Sequence, residues 1–201
     1  MNTLHRSYIP DDWSKGIDHI DVPYFYFDKF LTEEQCEEIK DWGDKAKLSA
    51  GSVMSVSSFE YKKAIRNSEI AWMPVQGWEW LYDRIYDSVT RTNKWEYDIR
   101  GFGESIQFTR YDAKKGESFY KSHRDTGPKH RHRKISFVVL LDDPESFSGG
   151  GFTLENVVGE VAVLKKGTAI MFPSFLTHQV LPVTSGVRNS LVCWISGPKL
   201  K

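Results

Sequence analysis

Ser105-Ile106-Gln107-Phe108-Thr109-Arg110-Tyr111 is the stretch where the periodicity of the chain changes. Ile106 and Phe108 fall on one side of it, and Ser105, Gln107, Thr109 and Tyr111 on the other, as alternation along a strand requires. Downstream, Ile135 to Leu141 is a near-continuous apolar run, and Gly149-Gly150-Gly151 opens Phe152 to Glu155. Val161 to Leu164, Thr168 to Phe172, Gln179 to Val183 and Asn189 to Ile195 follow, separated by Gly or Pro. Short strands at this spacing predict a β-sandwich or jelly roll. The triple glycine has no Lys-Ser/Thr after it and no helix opening behind it, so it reads as a turn or bulge rather than a phosphate loop.

Upstream of residue 104 the signals are mostly helical. Residues 1–22 read as a polar lead-in arm, and Tyr24 to Phe30 as a strand. Thr32-Glu33-Glu34-Gln35 fits a capping box, opening a helix that runs to about Lys47 with Cys36, Ile39, Gly43 and Ala46 on one face. Residues 48–73 read as short strands or loops. A second helix is predicted to start near Pro74, with Trp78, Leu81, Ile85 and Val89 as its buried stripe. The expected class is α+β, mainly β: one domain over residues 1–201, with arm, strands and support helices in 1–103 and a β core in 104–196.

Lys+Arg and Asp+Glu number 27 each, so net charge gives no reason to expect nucleic acid or an anionic membrane as partner. Cys36 and Cys193 lie far apart, which argues against a disulfide framework and for a reducing, cytoplasmic setting. The first residues carry no apolar leader segment and no run approaches membrane-spanning length. The sequence gives no assembly signal.

The β half carries the chemistry. On an extended segment His123 and Asp125 project to the same side. With His178 they supply two imidazoles and one carboxylate, the donor set of non-haem Fe(II) oxygenases, which leaves about three of six positions open. Arg188 and Ser190 share parity on the last strand, where a guanidinium can fork onto a carboxylate and a hydroxyl can add a bond. A metal at one end and a carboxylate receptor at the other suit 2-oxoglutarate, and Tyr111 could donate a phenolic hydrogen to the same ligand.

Phe108-Thr109-Arg110-Tyr111, Gly116, Tyr120, His123-x-Asp125, Gly149-Gly150, Phe172-Pro173, His178 and Val183-Thr184-x-Gly186-x-Arg188-x-Ser190 recur in an order that resembles the prolyl-4-hydroxylase-like branch of the 2-oxoglutarate/Fe(II) dioxygenases. The resemblance implies a double-stranded β-helix holding Fe(II) through His123, Asp125 and His178. It implies 2-oxoglutarate held by the metal, Arg188 and Tyr111, with O2 as co-substrate and ascorbate as an auxiliary. The implied reaction is C–H hydroxylation, foremost of a prolyl residue in a peptide or protein, with a small metabolite or another residue type as the alternative. One departure is the strand Ile135 to Leu141, which lacks the Tyr that some animal prolyl hydroxylases place there. Trp194 stands where nucleic-acid demethylases of the superfamily carry a second Arg, which argues against a nucleobase substrate. Asp125 argues against halogenation, whose enzymes lack that carboxylate.

Simpler readings stand beside these. The same three ligands would serve a metal-binding β-roll used for sensing without turnover, or a zinc hydrolase, but neither gives Arg188 a role. Trp194 reads as core before pocket wall, and Arg124 points away from the metal by alternation, to the substrate mouth or to solvent. Lys129-His130-Arg131-His132-Arg133-Lys134 reads first as a solvated loop and second as a lid facing an acidic or phosphorylated partner. Metal capture by His130 and His132 is disfavoured because no carboxylate is near them in sequence.

Overall fold

The computed structural model describes residues 23–54, 59–60, 63–155 and 165–199. The arm expected over 1–22 and the strand expected at Val161 to Leu164 lie outside the described residues. In chain order the first elements are β1 (Phe25–Phe27), α1 (Glu33–Lys45), β2 (Ser49–Ala50), β3 (Val53–Met54), β4 (Phe59–Glu60), β5 (Arg66–Asn67), β6 (Glu69–Met73), α2 (Glu79–Thr92) and β7 (Gly101–Phe102). Then come β8 (Ile106–Asp112), β9 (Ser118–His123), β10 (Arg133–Leu140), β11 (Ser148–Gly149), β12 (Phe152–Leu154), β13 (Ala169–Pro173), β14 (His178–Ser185) and β15 (Val187–Ser196). The chain is therefore mainly β, with two α-helices among the described residues.

Among the described residues the larger sheet has eight strands, seven along the path β1-β13-β10-β15-β8-β6-β2 and β7 joined to β15. The smaller has five, β11-β14-β9-β5, with β12 joined to β14. The pairings are antiparallel. Val138, Leu140, Ile170 and Phe172 of the larger sheet pack on Phe152, Leu154, Val180 and Val183 of the smaller, so the two sheets face each other. On its other face the larger sheet presents Ile106, Phe108, Phe137 and Cys193 to Cys36 and Ile39 of α1 and to Leu81, Ile85 and Val89 of α2. The alternation in 105–111 thus separates two interiors. Its apolar face meets the helices, and its polar face (Gln107, Thr109, Tyr111) is buried between the sheets.

The capping box forms as the sequence predicts: Gln35 donates its backbone N–H to Thr32 Oγ1 at 3.2 Å, and Thr32 donates its own to Gln35 Oε1 at 3.0 Å. The helix stops at Lys45, two residues short of expectation, because Ala46 turns extended. Gly43 lies directly on the Phe108 ring, which a Cβ would overlap. Phe108 is fully buried and has nowhere to retreat. Gly43→Ala is therefore expected to lower stability by about 1–3 kcal/mol, the usual cost of overpacking, against the ~1 kcal/mol it gains in helix propensity. Thermal melts of the two proteins check the sign.

Two boundaries differ from expectation. The second helix starts at Glu79 rather than near Pro74, because Gly77 adopts φ 86° and the chain turns from Val75 to Trp78 before the helix begins. The buried stripe itself is as predicted. The strand expected over Tyr24 to Phe30 is only Phe25–Phe27, ended by a turn in which Lys29 takes φ 52°. Cys36 and Cys193 are free and buried, and burial pushes both thiols up, Cys36 to about 11. No helix of the described residues is long and apolar enough to cross a membrane.

Candidate active site

The site is built where β9 and β14 run side by side. His123 and His178 are Cα partners in that pairing, and their rings lie with centroids 4.2 Å apart. Asp125 shares the side of His123, as alternation predicts, but by a different cause. Strand β9 ends at His123, and the backbone N–H groups of Asp125 and Thr126 both donate to the Ser174 carbonyl, at 3.0 and 3.1 Å. That anchor, rather than strand geometry, turns the carboxylate inward. Asp125 Oδ1 lies 3.7 Å from His123 Nε2, and Oδ2 lies 3.4 Å from His178 Nε2.

Outer partners fix the donors. His123 Nδ1 is 2.8 Å from the Lys121 carbonyl and His178 Nδ1 is 2.9 Å from the Leu176 carbonyl. A carbonyl only accepts, so each Nδ1 carries a hydrogen and each Nε2 faces the common centre. Ser136 donates to Asp125 Oδ2 at 2.6 Å and contacts the Ser174 hydroxyl at 2.9 Å. The Tyr120 ring stacks on His123 at 3.5 Å. Burial and the neighbouring His178 push His123 well below the ordinary histidine range. Burial works to raise the Asp125 carboxyl, but His178, His123, Arg133 and the Ser136 hydroxyl outweigh it and hold the group low. An anionic carboxylate and a neutral imidazole are the protonation states that ligate a metal. Three convergent O/N donors with unprotonated faces therefore fit a divalent ion such as Fe(II).

On the larger sheet, Arg188 is Cα partner to Tyr111, and both face the interior between the sheets. Arg188 is 2% exposed, and its Nη1 donates to Ser190 Oγ at 3.2 Å. Among the described residues no carboxylate lies in ion-pair contact with it. Burial depresses its basicity and pushes the Tyr111 phenol up. Gly150, at φ 66°, lets the Arg188 stem pass where a Cβ would press on Cδ. A guanidinium buried without a counter-ion is costly unless an anion arrives to pair with it.

All six residues singled out from the sequence (His123, Asp125, His178, Arg188, Tyr111 and Ser190) line one pocket. Trp194 lines it too, as parity with Arg188 suggested. Arg124 is exposed at its edge and donates from Nε to Thr177 Oγ1 at 3.1 Å. Sequence reasoning missed Arg66, Arg133, Ser136 and Ser174. Arg66, from the two-residue β5, lies over the Tyr120 ring at 4.6 Å. Arg133 lies over the Trp194 ring at 3.6 Å and donates to the Asp125 carbonyl at 3.2 Å. The basic run is not a solvated loop throughout: Arg133 and Lys134 open β10, and Lys134 is buried.

Two imidazoles and a carboxylate converging in a pocket, with a buried guanidinium on the facing sheet, define a non-haem metal oxygenase type of site. Residues 106–196 match the family model of the 2OG-Fe(II) oxygenase superfamily. That family implies Fe(II), 2-oxoglutarate and O2. PKHD-type hydroxylases from Crocosphaera subtropica and Rippkaea orientalis are 32% and 38% identical over 96 residues, which is 45% of this chain and 42% of each relative. The match thus spans less than half the length of these curated relatives. A Pseudomonas putida prolyl-4-hydroxylase superposes with a TM-score of 0.67 at 18% identity, over 92% of this chain and 98% of that one. A Trichoplax adhaerens prolyl hydroxylase in complex with a hypoxia inducible factor oxygen degradation domain peptide fragment gives 0.69 at 16%, over 96% and 94%. At these identities the likeness is one of fold.

Proposed function

We propose that this chain is an Fe(II)/2-oxoglutarate-dependent hydroxylase built as one dioxygenase domain on a double-stranded β-helix, the two facing sheets being the halves of the roll. His123, Asp125 and His178 hold the iron. Arg188, supported by Ser190, receives the distal carboxylate of 2-oxoglutarate, and Tyr111 lines the same slot. The observation that carries the reading is the buried Arg188 guanidinium, which has no ion-pair partner among the described residues and shares a pocket with a ready metal donor set. A metal-binding roll without turnover would have no use for that charge.

When bound, iron with its co-substrates supplies the oxidative decarboxylation of 2-oxoglutarate to succinate and CO2, with one atom of O2 entering a substrate C–H bond and the other the succinate. The chain supplies the rest. Lys121 and Leu176 carbonyls fix the tautomer and ring orientation that turn both Nε2 atoms to the metal position. Ser136 holds the Asp125 carboxylate at a fixed angle. The apolar walls from Phe152, Val138 and Val180 exclude water from the pocket that receives the substrate.

The substrate is a prolyl residue of a peptide or protein. Support comes from the fold shared with prolyl hydroxylases, one of them solved with a peptide fragment, and from Trp194 at the pocket wall where a nucleobase-reading Arg would stand. The test is a screen of proline-containing peptides with Fe(II) and 2-oxoglutarate, read by mass spectrometry. A gain of one oxygen on proline, dependent on 2-oxoglutarate and matched by succinate, is expected. Succinate formation coupled to a non-prolyl acceptor would move the substrate assignment. A melting temperature that rises with Mn(II) but not further with 2-oxoglutarate would overturn the enzyme reading.

A further inference from the structure

Glu104 lies in the turn before β8, and His130 and His132 lie in the loop before β10. Glu104 is 26 or more positions from either histidine, yet β8 and β10 flank β15 in the larger sheet and bring the three together. His130 Nδ1 is 3.3 Å and His132 Nε2 is 3.9 Å from one and the same oxygen, Glu104 Oε1. No two of the three donor atoms are more than 4.8 Å apart. Donors around a tetrahedral Zn(II), with bonds of about 2.1 Å, stand about 3.4 Å from one another. The two separations from Glu104 Oε1 are thus within about 0.5 Å of that spacing, and the one between the histidine nitrogens is at most about 1.4 Å wider. The cluster is separate from the His123/Asp125/His178 centre and has no part in the reading proposed for it.

The loop is held in place. His130 donates its backbone N–H to the Gly127 carbonyl, its own carbonyl accepts from Arg133 N–H and from Thr126 Oγ1, and the His132 carbonyl accepts from Gly197 N–H. Gly103 has no side chain where a Cβ would press on the His132 ring. Arg133 binds the other Glu104 oxygen, Oε2, which orients the carboxylate and leaves Oε1 turned to the histidines. Outer partners of this kind fix a ligand before the metal arrives, although here the partner's charge weakens attraction for a cation.

We propose that Glu104, His130 and His132 form a second transition-metal site, taking Zn(II) through a two-histidine, one-carboxylate donor set with the fourth position open. The reason the sequence disfavoured metal capture by the two histidines was the lack of a carboxylate, and the fold supplies one. The site sits between two cavities: His130 lines the active-site pocket, and Glu104 lines the neighbouring groove beside Tyr82 and Phe102. Arg133 links it inward, since the same guanidinium that grips Glu104 also donates to the Asp125 carbonyl.

The test is Zn(II) titration of the full chain against a chromophoric chelator, with His132→Gln and His178→Ala as variants. Two equivalents are expected in the wild type and one in each variant, both variants melting cooperatively without metal. Two equivalents retained in His132→Gln, or a single wild-type equivalent lost in His178→Ala, would overturn the proposal. Crystals of the wild-type protein grown with Zn(II) give a second readout independent of any variant. An anomalous peak between Glu104 Oε1, His130 Nδ1 and His132 Nε2 supports the site; no peak there rejects it, whatever the other centre holds.

Discussion

With Asp125 replaced by alanine, coupled turnover of 2-oxoglutarate falls to background and iron affinity drops by more than about 100-fold. The bound follows from the site's own hierarchy, because losing a partner of a ligand already costs about 10–100-fold in metal affinity or activity. Ser136→Ala provides that lower rung. Its hydroxyl donates to Asp125 Oδ2 from a fully buried position, so its loss frees the carboxylate to rotate without removing it. Iron binding and succinate formation should therefore rank wild type, then Ser136→Ala, then Asp125→Ala. Asp125→Ala with wild-type coupled turnover would remove the proposed iron centre altogether.

Arg188→Met should separate stability from activity. In the free protein Arg188 is a buried cation that donates to the Ser190 hydroxyl. Replacing a buried charge by an apolar chain of similar volume is often stabilising by about 1–4 kcal/mol, and here no ion pair among the described residues is sacrificed. The melting temperature of the variant without co-substrate is thus expected to rise. Co-substrate binding should weaken by more than about 100-fold, since a hydrogen bond to a charged group contributes about 1.5–3 kcal/mol and the fork makes two. The check is a melting series with Mn(II) and increasing 2-oxoglutarate: the wild type gains stability with ligand, and the variant starts higher and gains little. A variant that melts lower and still responds to 2-oxoglutarate would deny Arg188 its receptor role.

Local periodicity carried much of this site. Parity along 105–111 put Tyr111 on the inner face, and parity along the last strand put Arg188, Ser190 and Trp194 on one side, as observed. What the sequence did not disclose was non-local. Asp125 owes its position to a carbonyl 49 positions later, on Ser174. Glu104 meets two histidines because β8 and β10 both pair with β15, which no window reveals. Arg66 arises from a strand of two residues, too short for any period. The late start of the second helix turned on the φ of a single glycine, Gly77. Burial stripes are written locally, whereas chain-to-chain neighbours are decided by the sheet as a whole.

The facing of His123 and His178 across β9 and β14 makes the centre a proofreader of assembly. Sliding either strand by one residue would send its imidazole to the opposite surface of the sheet, and the pair would be broken at a stroke. Only the correctly threaded chain can then capture the ion, and each captured ion adds its binding energy to that threading alone. Slipped forms compete without this reward, so metal supplied during refolding should raise the yield of native protein.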